Sequence, residues 1–222
     1  MEATCWTLIE NAAKGESTSR DRFADSYGAI LKAYFGARWR AHRLSDSVPD
    51  AVQEVFVECF KEGGLLGRAD REREGGFRPW FFGAAKRIAL RFEEGRGMGR
   101  EAEFPSRFDA PVVDEKGLAT IFDRAWAAEL MRQAAECMAE RAEEAGERER
   151  RWVELLRMRF EENRPIREIA KSWDADPAAL HHEYAKARRE FRSALLEVVG
   201  FHAPGSEADI ERQAEELIAL VG

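Results

Sequence analysis

Apolar residues recur every three or four positions along nearly the whole chain, and no segment alternates with period two over the length of a strand. Even the β-rich pair Val112-Val113 stands among turn formers. The spacing predicts an all-α protein. Helices are expected over 4–14, 20–41, 48–62, 78–94, 120–145, 147–162, 165–173, 177–199 and 207–221.

One stretch breaks the pattern. Gly95, Gly97 and Gly99 alternate with Arg96 and Arg100, and Pro105, Pro111 and Gly117 follow. Such a run opposes a continuous helix. Residues 95–119 therefore read as a flexible linker, able to reach roughly 80–90 Å at ~3.3–3.6 Å per residue. Two helical domains, 1–94 and 120–199, are expected on either side. The second contains a helix-turn-helix, and a C-terminal amphipathic helical extension occupies 200–222.

Composition narrows the class. With 45% hydrophobic residues there is enough apolar material for packed cores. No run approaches the ~18 apolar residues of a spanning helix, so membrane insertion is not expected. The start, Met1-Glu2-Ala3-Thr4-Cys5-Trp6, lacks the basic-then-apolar order of a secretory leader. Cys5, Cys59 and Cys137 are widely spaced and form no C-x-x-C pair, which disfavours a disulfide scaffold or a zinc site. A cytoplasmic protein is expected. The formal charge, 35 − 42 = −7, opposes a bare, sequence-independent nucleic-acid binder but not one with clustered cations. No carboxylate pair, nucleophile constellation or phosphate-cradling glycine loop stands out. No enzyme, catalytic residue, metal or cofactor is expected.

Three segments carry more information. In 48–62, Val52, Val55, Phe56, Cys59 and Phe60 make a core stripe, while Asp50, Gln53, Glu54, Val57, Glu58 and Lys61 lie opposite. From spacing alone that acidic side is a solvated helix face. In 77–94, Phe81, Ala84, Ala85, Ile88, Ala89 and Phe92 share one arc, and Trp80, Lys86, Arg87 and Arg91 share the other, with Arg78 at the start. Cations beside a large aromatic suit single-stranded nucleic acid, whose phosphates pair with Arg and Lys and whose bases stack on rings. A Trp80 folded onto a neighbouring helix, with merely solvated cations, explains the pattern equally well.

In 164–199, Ile166, Ile169, Ala170 and Trp173 form a short amphipathic helix, and Asp174-Ala175-Asp176 a polar turn. Asp176 is placed to cap a second helix ahead of Pro177. That helix carries Leu180, Tyr184, Ala187 and Phe191 inward. His182, Lys186 and Arg189 lie outward, with His181 and Arg188 at the edge. Helix, short turn and longer helix is the helix-turn-helix plan. At the C-terminus Ser206, with Asp209 three residues on, is placed to cap a last helix. Its stripe is Ile210, Ala214, Leu217, Ile218 and Val221. His42 and His202 look isolated, without a special role.

In this order the three segments resemble an extracytoplasmic-function sigma factor, the two-domain specificity subunit of bacterial RNA polymerase, of the sigma-70 family. Asp50-Ala51-Val52-Gln53-Glu54-Val55-Phe56 looks like the region that docks on the polymerase clamp. Phe77-Arg78-Pro79-Trp80-Phe81-Phe82 through Arg91 looks like the helix that melts the promoter and reads its minus-ten element. Residues 165–192 look like the minus-35 helix-turn-helix. Phe122-Asp123-Arg124-Ala125-Trp126 and the tail from Gly200 look like a divergent, planctomycete-like branch. The family usually has glycine where Asp174 stands, and often Arg or Lys where His181, His182 and Glu183 stand.

The resemblance implies core polymerase and promoter DNA as partners, with an anti-sigma factor or another regulatory protein as a further candidate. It assigns Asp50, Gln53, Glu54, Val57 and Glu58 to polymerase. It assigns Arg78, Trp80, Lys86, Arg87 and Arg91 to the minus-ten strand, and His181, His182, Lys186, Arg188 and Arg189 to the minus-35 duplex. Two other readings stay open. One is a helix-turn-helix regulator acting without polymerase; the other is a sigma-like interaction protein that no longer reads promoters.

Overall fold

The computed structural model describes residues 5–69, 76–95 and 114–221. Among these the chain is helical throughout, with no strand, and no helix is long and apolar enough to cross a membrane. It divides into two compact units. The first comprises 1–129, 201–205 and 215–222; the second comprises 130–200 and 206–214.

In the first unit, α1 (Cys5–Ala13), α2 (Ser17–Arg38), α3 (Val48–Phe60) and α4 (Phe77–Glu93) pack around an aromatic core. Helix α2 buries Phe23, Tyr27, Ile30, Leu31, Tyr34 and Phe35 at helical spacing. Pro49 sits in the first turn of α3, where its missing N–H costs nothing. Below it Ala51, Val52, Val55 and Cys59 are buried. Phe56 and Phe60 of the same stripe are half-buried, their rings 6.3 and 5.7 Å from Phe23. The turn after α3 needs glycine at position 64, because a Cβ there would lie 2.5 Å from the Glu58 carbonyl oxygen. Gly76, at φ 70 and ψ −151, starts α4 in a conformation open to glycine.

The next helix, α5 (Glu115–Ala145), begins earlier than the sequence pattern suggests. Of the expected linker, 96–113 lie outside the described residues, and 115–119 are helical. Gly117 had the look of a breaker, yet it stands inside the first turn. A Cβ there would be 2.5 Å from Asp114 Oδ2, so glycine lets that carboxylate close over the helix start. The first part of α5 belongs to the first unit. Phe122 is fully buried and Trp126 nearly so; Phe122 lies 5.1 Å from Phe82 and Trp126 stacks on Tyr27 at 5.5 Å. Such ring pairs contribute ~0.5–1.5 kcal/mol beyond their burial.

In the second unit, the rest of α5 is followed by α6 (Glu147–Phe160), α7 (Ile166–Ser172) and α8 (Pro177–His202). Leu155, Met158, Ile166, Ile169, Ala170 and Leu180 form a core, with Trp173 and Tyr184 packed on it. The last helix, α9 (Glu207–Val221), is capped as expected: the Asp209 N–H donates to Ser206 Oγ at 3.3 Å. Its buried stripe is narrower than expected. Ala214 and Leu217 are covered, whereas Ile218 and Val221 are exposed.

The C-terminal segment 200–222 is not a uniform appendage. Helix α8 runs on to His202, and 201–205 pack in the first unit. His202, which looked isolated in the sequence, is buried, with its Nδ1 3.2 Å from the Tyr27 hydroxyl. Its carbonyl accepts from the Cys5 thiol at 3.1 Å. Burial pushes its imidazole down to about 4.

Candidate nucleic-acid and protein interfaces

Helix α3 turns its core stripe inward and leaves Asp50, Gln53 and Val57 exposed; Val57 is 51% exposed. Glu54 and Glu58, assigned to the same face, are engaged elsewhere. Arg91 of α4 donates to Glu54 at 3.0 Å and lies 3.3 Å from Glu58, which also pairs with Lys61 at 2.6 Å. Lys61 above all holds the Glu58 carboxyl below its ordinary range; burial opposes it, and Arg91 adds to the lowering. The acidic face of α3 and the basic face of α4, assigned to different partners, therefore meet at Arg91. Glu54, Glu58 and Arg91 thus bind one another within the first unit.

The remaining cations of α4 show a related pattern. Arg78 donates through Nε to Asp123 at 3.0 Å, with Nη2 2.5 Å away. Lys86 lies 3.0 Å from Glu115. Glu115 also accepts from Arg38 at 3.3 Å. Burial pushes the Glu115 carboxyl up, but Lys86 and Arg38 outweigh it and hold the group low. Arg87 is exposed and has no carboxylate partner among the described residues. Trp80 is half-buried and tilts toward Phe77 of its own helix, ring centres 5.4 Å apart. An open cleft of about 330 Å³, lined by Arg78, Pro79, Phe82, Ala119 and Asp123, lies beside these groups.

Beneath this face Arg38, its side chain 2% exposed, forms a two-pronged pair with Glu93 at 2.7 and 3.0 Å. Trp39 Nε1 donates to the same carboxylate at 2.9 Å. A buried guanidinium with satisfied donors is rigid and costly to break. Glu93 and Glu115 were not singled out in the sequence, and Asp123 only within the Phe122–Trp126 motif, with no role of its own. The signal for the last two was available: Glu115, Ala119, Phe122, Asp123 and Trp126 share one helical face.

In the second unit, α7 and α8 are joined by the Trp173–Asp176 turn. Asp174 adopts φ 48, the left-handed conformation that Asp tolerates where glycine is usual. Asp176 Oδ2 accepts from the Ala179 N–H at 2.8 Å and caps α8. His181, His182 and Arg189 are exposed, and the exposed Arg188 lies 5.8 Å over the Tyr184 ring. Lys186 is less open, since it pairs with Glu183 at 3.0 Å. Glu183 is fixed in turn: it accepts from Trp152 Nε1 and faces Arg148 at 3.6 Å. Trp152 first and Lys186 next bring the Glu183 carboxyl down to about 2. Glu183 is thus an anchor for Lys186 and not a bare repulsive charge.

Compared with known proteins, the chain matches no family model and no curated protein.

Proposed function

We propose that the protein is an RNA polymerase sigma factor of the extracytoplasmic-function type. In this role the exposed α3 face around Asp50, Gln53 and Val57 docks on core polymerase. Helix α4 contacts the melted minus-ten strand through Arg87, Trp80 and the neighbouring cations. Helix α8 reads the minus-35 duplex through His181, His182, Arg188 and Arg189, with Lys186 positioned by Glu183. The polymerase supplies the chemistry.

The observation that carries the proposal is the α7–turn–α8 pair. It has a packed inner side, an Asp174 turn and a capped second helix whose outer side offers two histidines and two arginines. A neutral histidine donates or accepts, so such a helix reads base edges with less charge than an all-Arg one. The acidic net charge agrees with binding to DNA as part of a larger enzyme instead of alone.

The test is transcription by core polymerase, with and without the full chain, from a library of randomised upstream sequences. The expected result is chain-dependent start sites that share two recurring upstream elements. Start sites unchanged by the chain would contradict the proposal. Duplex capture by the chain alone, with no effect on transcription, would favour a regulator that acts without polymerase.

A further inference from the structure

We propose that the first turns of α5 form an autoinhibitory acidic strap on α4. Asp123 and Glu115 occupy, on Arg78 and Lys86, the places that DNA phosphates would take. The proposal rests on the reading of α4 as a strand-contacting helix and adds a control to it.

A carboxylate and a phosphate oxygen make the same charge-assisted contact with guanidinium and ammonium groups. Asp123 takes both Nε and Nη2 of Arg78 on one oxygen, as a bound phosphate oxygen would. Glu115 takes Lys86. With Glu54 and Glu58 on Arg91, three of the four cations of the face are already neutralised within the chain. Arg87 remains for first contact.

The acids are held in place by something stronger than the ion pairs. Phe122 and Trp126 flank Asp123 on the same helix and are buried among Tyr27, Tyr34, Phe81 and Phe82. That anchor keeps the carboxylates at high local concentration over the cations. The pairs themselves are partly open, with side chains 30–42% exposed, and pairs of that kind contribute little and exchange readily. Incoming phosphates therefore need only displace two side chains, while the helix stays docked. Non-specific strands are disfavoured, and a strand also held by Arg87 and stacked on Trp80 is admitted.

The test uses the full chain and a fluorescent single-stranded 20-mer of random sequence, titrated across a salt series. The double variant E115Q/D123N should bind about tenfold tighter or more at 0.1 M salt, with a salt slope steeper by about 1.4, or ~0.7 per freed cation. Adding R78A/K86A should abolish the gain. E140Q/E144Q, the same charge change on the second unit, should leave the slope unchanged. If the double variant fails to fold, E115Q alone should steepen the slope by about 0.7. Unchanged affinity and slope, or a gain that survives R78A/K86A, would overturn the strap. The two levels of failure separate through R87A. If R87A weakens wild-type binding while E115Q/D123N gains nothing, the strap alone is wrong. If R87A has no effect in either background, the assignment of α4 to a strand fails and takes the strap with it.

Discussion

Helices α4 and α8 both carry cations on an outer face, but they dispose of them differently. On α4 the partners come from other helices: Asp123 for Arg78, Glu115 for Lys86, and Glu54 with Glu58 for Arg91. On the first half of α8 the partners are local: Lys186 pairs with Glu183 one turn away and Arg188 leans on Tyr184, whereas Arg192 further along meets Glu211 of α9. His181, His182 and Arg189 stay exposed. A basic face made of local contacts is a surface in the folded protein much as it is in the sequence. A basic face that meets acids from distant segments becomes a regulated one. The histidines show the same contrast, since His181 and His182 face solvent while His202 is sealed in the first unit.

The largest expected effect tests whether the start of α5 belongs to the first unit's core. Phe122→Ala should cost about 3–5 kcal/mol in urea unfolding. Phe160→Ala, at a side chain 67% exposed, should change stability by less than about 0.5 kcal/mol. Similar costs at the two sites would erase the distinction between an anchored and an appended helix.

Next comes the α3 face proposed to dock on polymerase. Asp50→Lys with Val57→Asp leaves the inner stripe untouched and should weaken core polymerase binding by about 2–5 kcal/mol, measured by anisotropy of a labelled chain. Charge reversal at Glu54 is a poorer probe, because it would also set a like charge against Arg91.

The buried histidine predicts a pH dependence for the first unit. The folded-state value, about 4, lies below the ~6.5 of an unfolded histidine. The unfolded chain therefore takes up the proton first. The stabilisation from the neutral ring is complete above pH ~6.5 and is lost as pH falls toward 4, by about 3 kcal/mol at most. His202→Gln should flatten the difference between urea midpoints at pH 7.5 and 4.5. An unaltered difference would place the titration elsewhere.

A smaller effect belongs to the cap of α8. Asp176→Ala removes the acceptor of the Ala179 N–H and should cost about 1 kcal/mol in thermal unfolding. Duplex binding should weaken only as far as the helix start frays.

What could be read from the sequence follows the same division. The helices, the α3 stripe, the Asp174 turn and the Asp176 and Ser206 caps all depend on neighbours within about one turn, and their spacing specifies them. The start of α5 was missed because Gly117 reads as a breaker unless Asp114 is known to close over it. The pairing of Arg91 with Glu54, and of Arg78 with Asp123, joins residues 37 and 45 positions apart. Periodicity says which way each side chain points but not which helix faces it. His202 was missed for the same reason, since its partners, Cys5 and Tyr27, lie at the other end of the chain.

The most direct measurement of the initiation-factor proposal is equilibrium binding of the labelled full chain to core RNA polymerase, alongside the D50K/V57D variant. The proposal predicts saturable binding of the wild-type chain and a loss of at least about thirtyfold in the variant, with helicity unchanged. No association with core polymerase, while the chain alone retains duplex DNA, would contradict it.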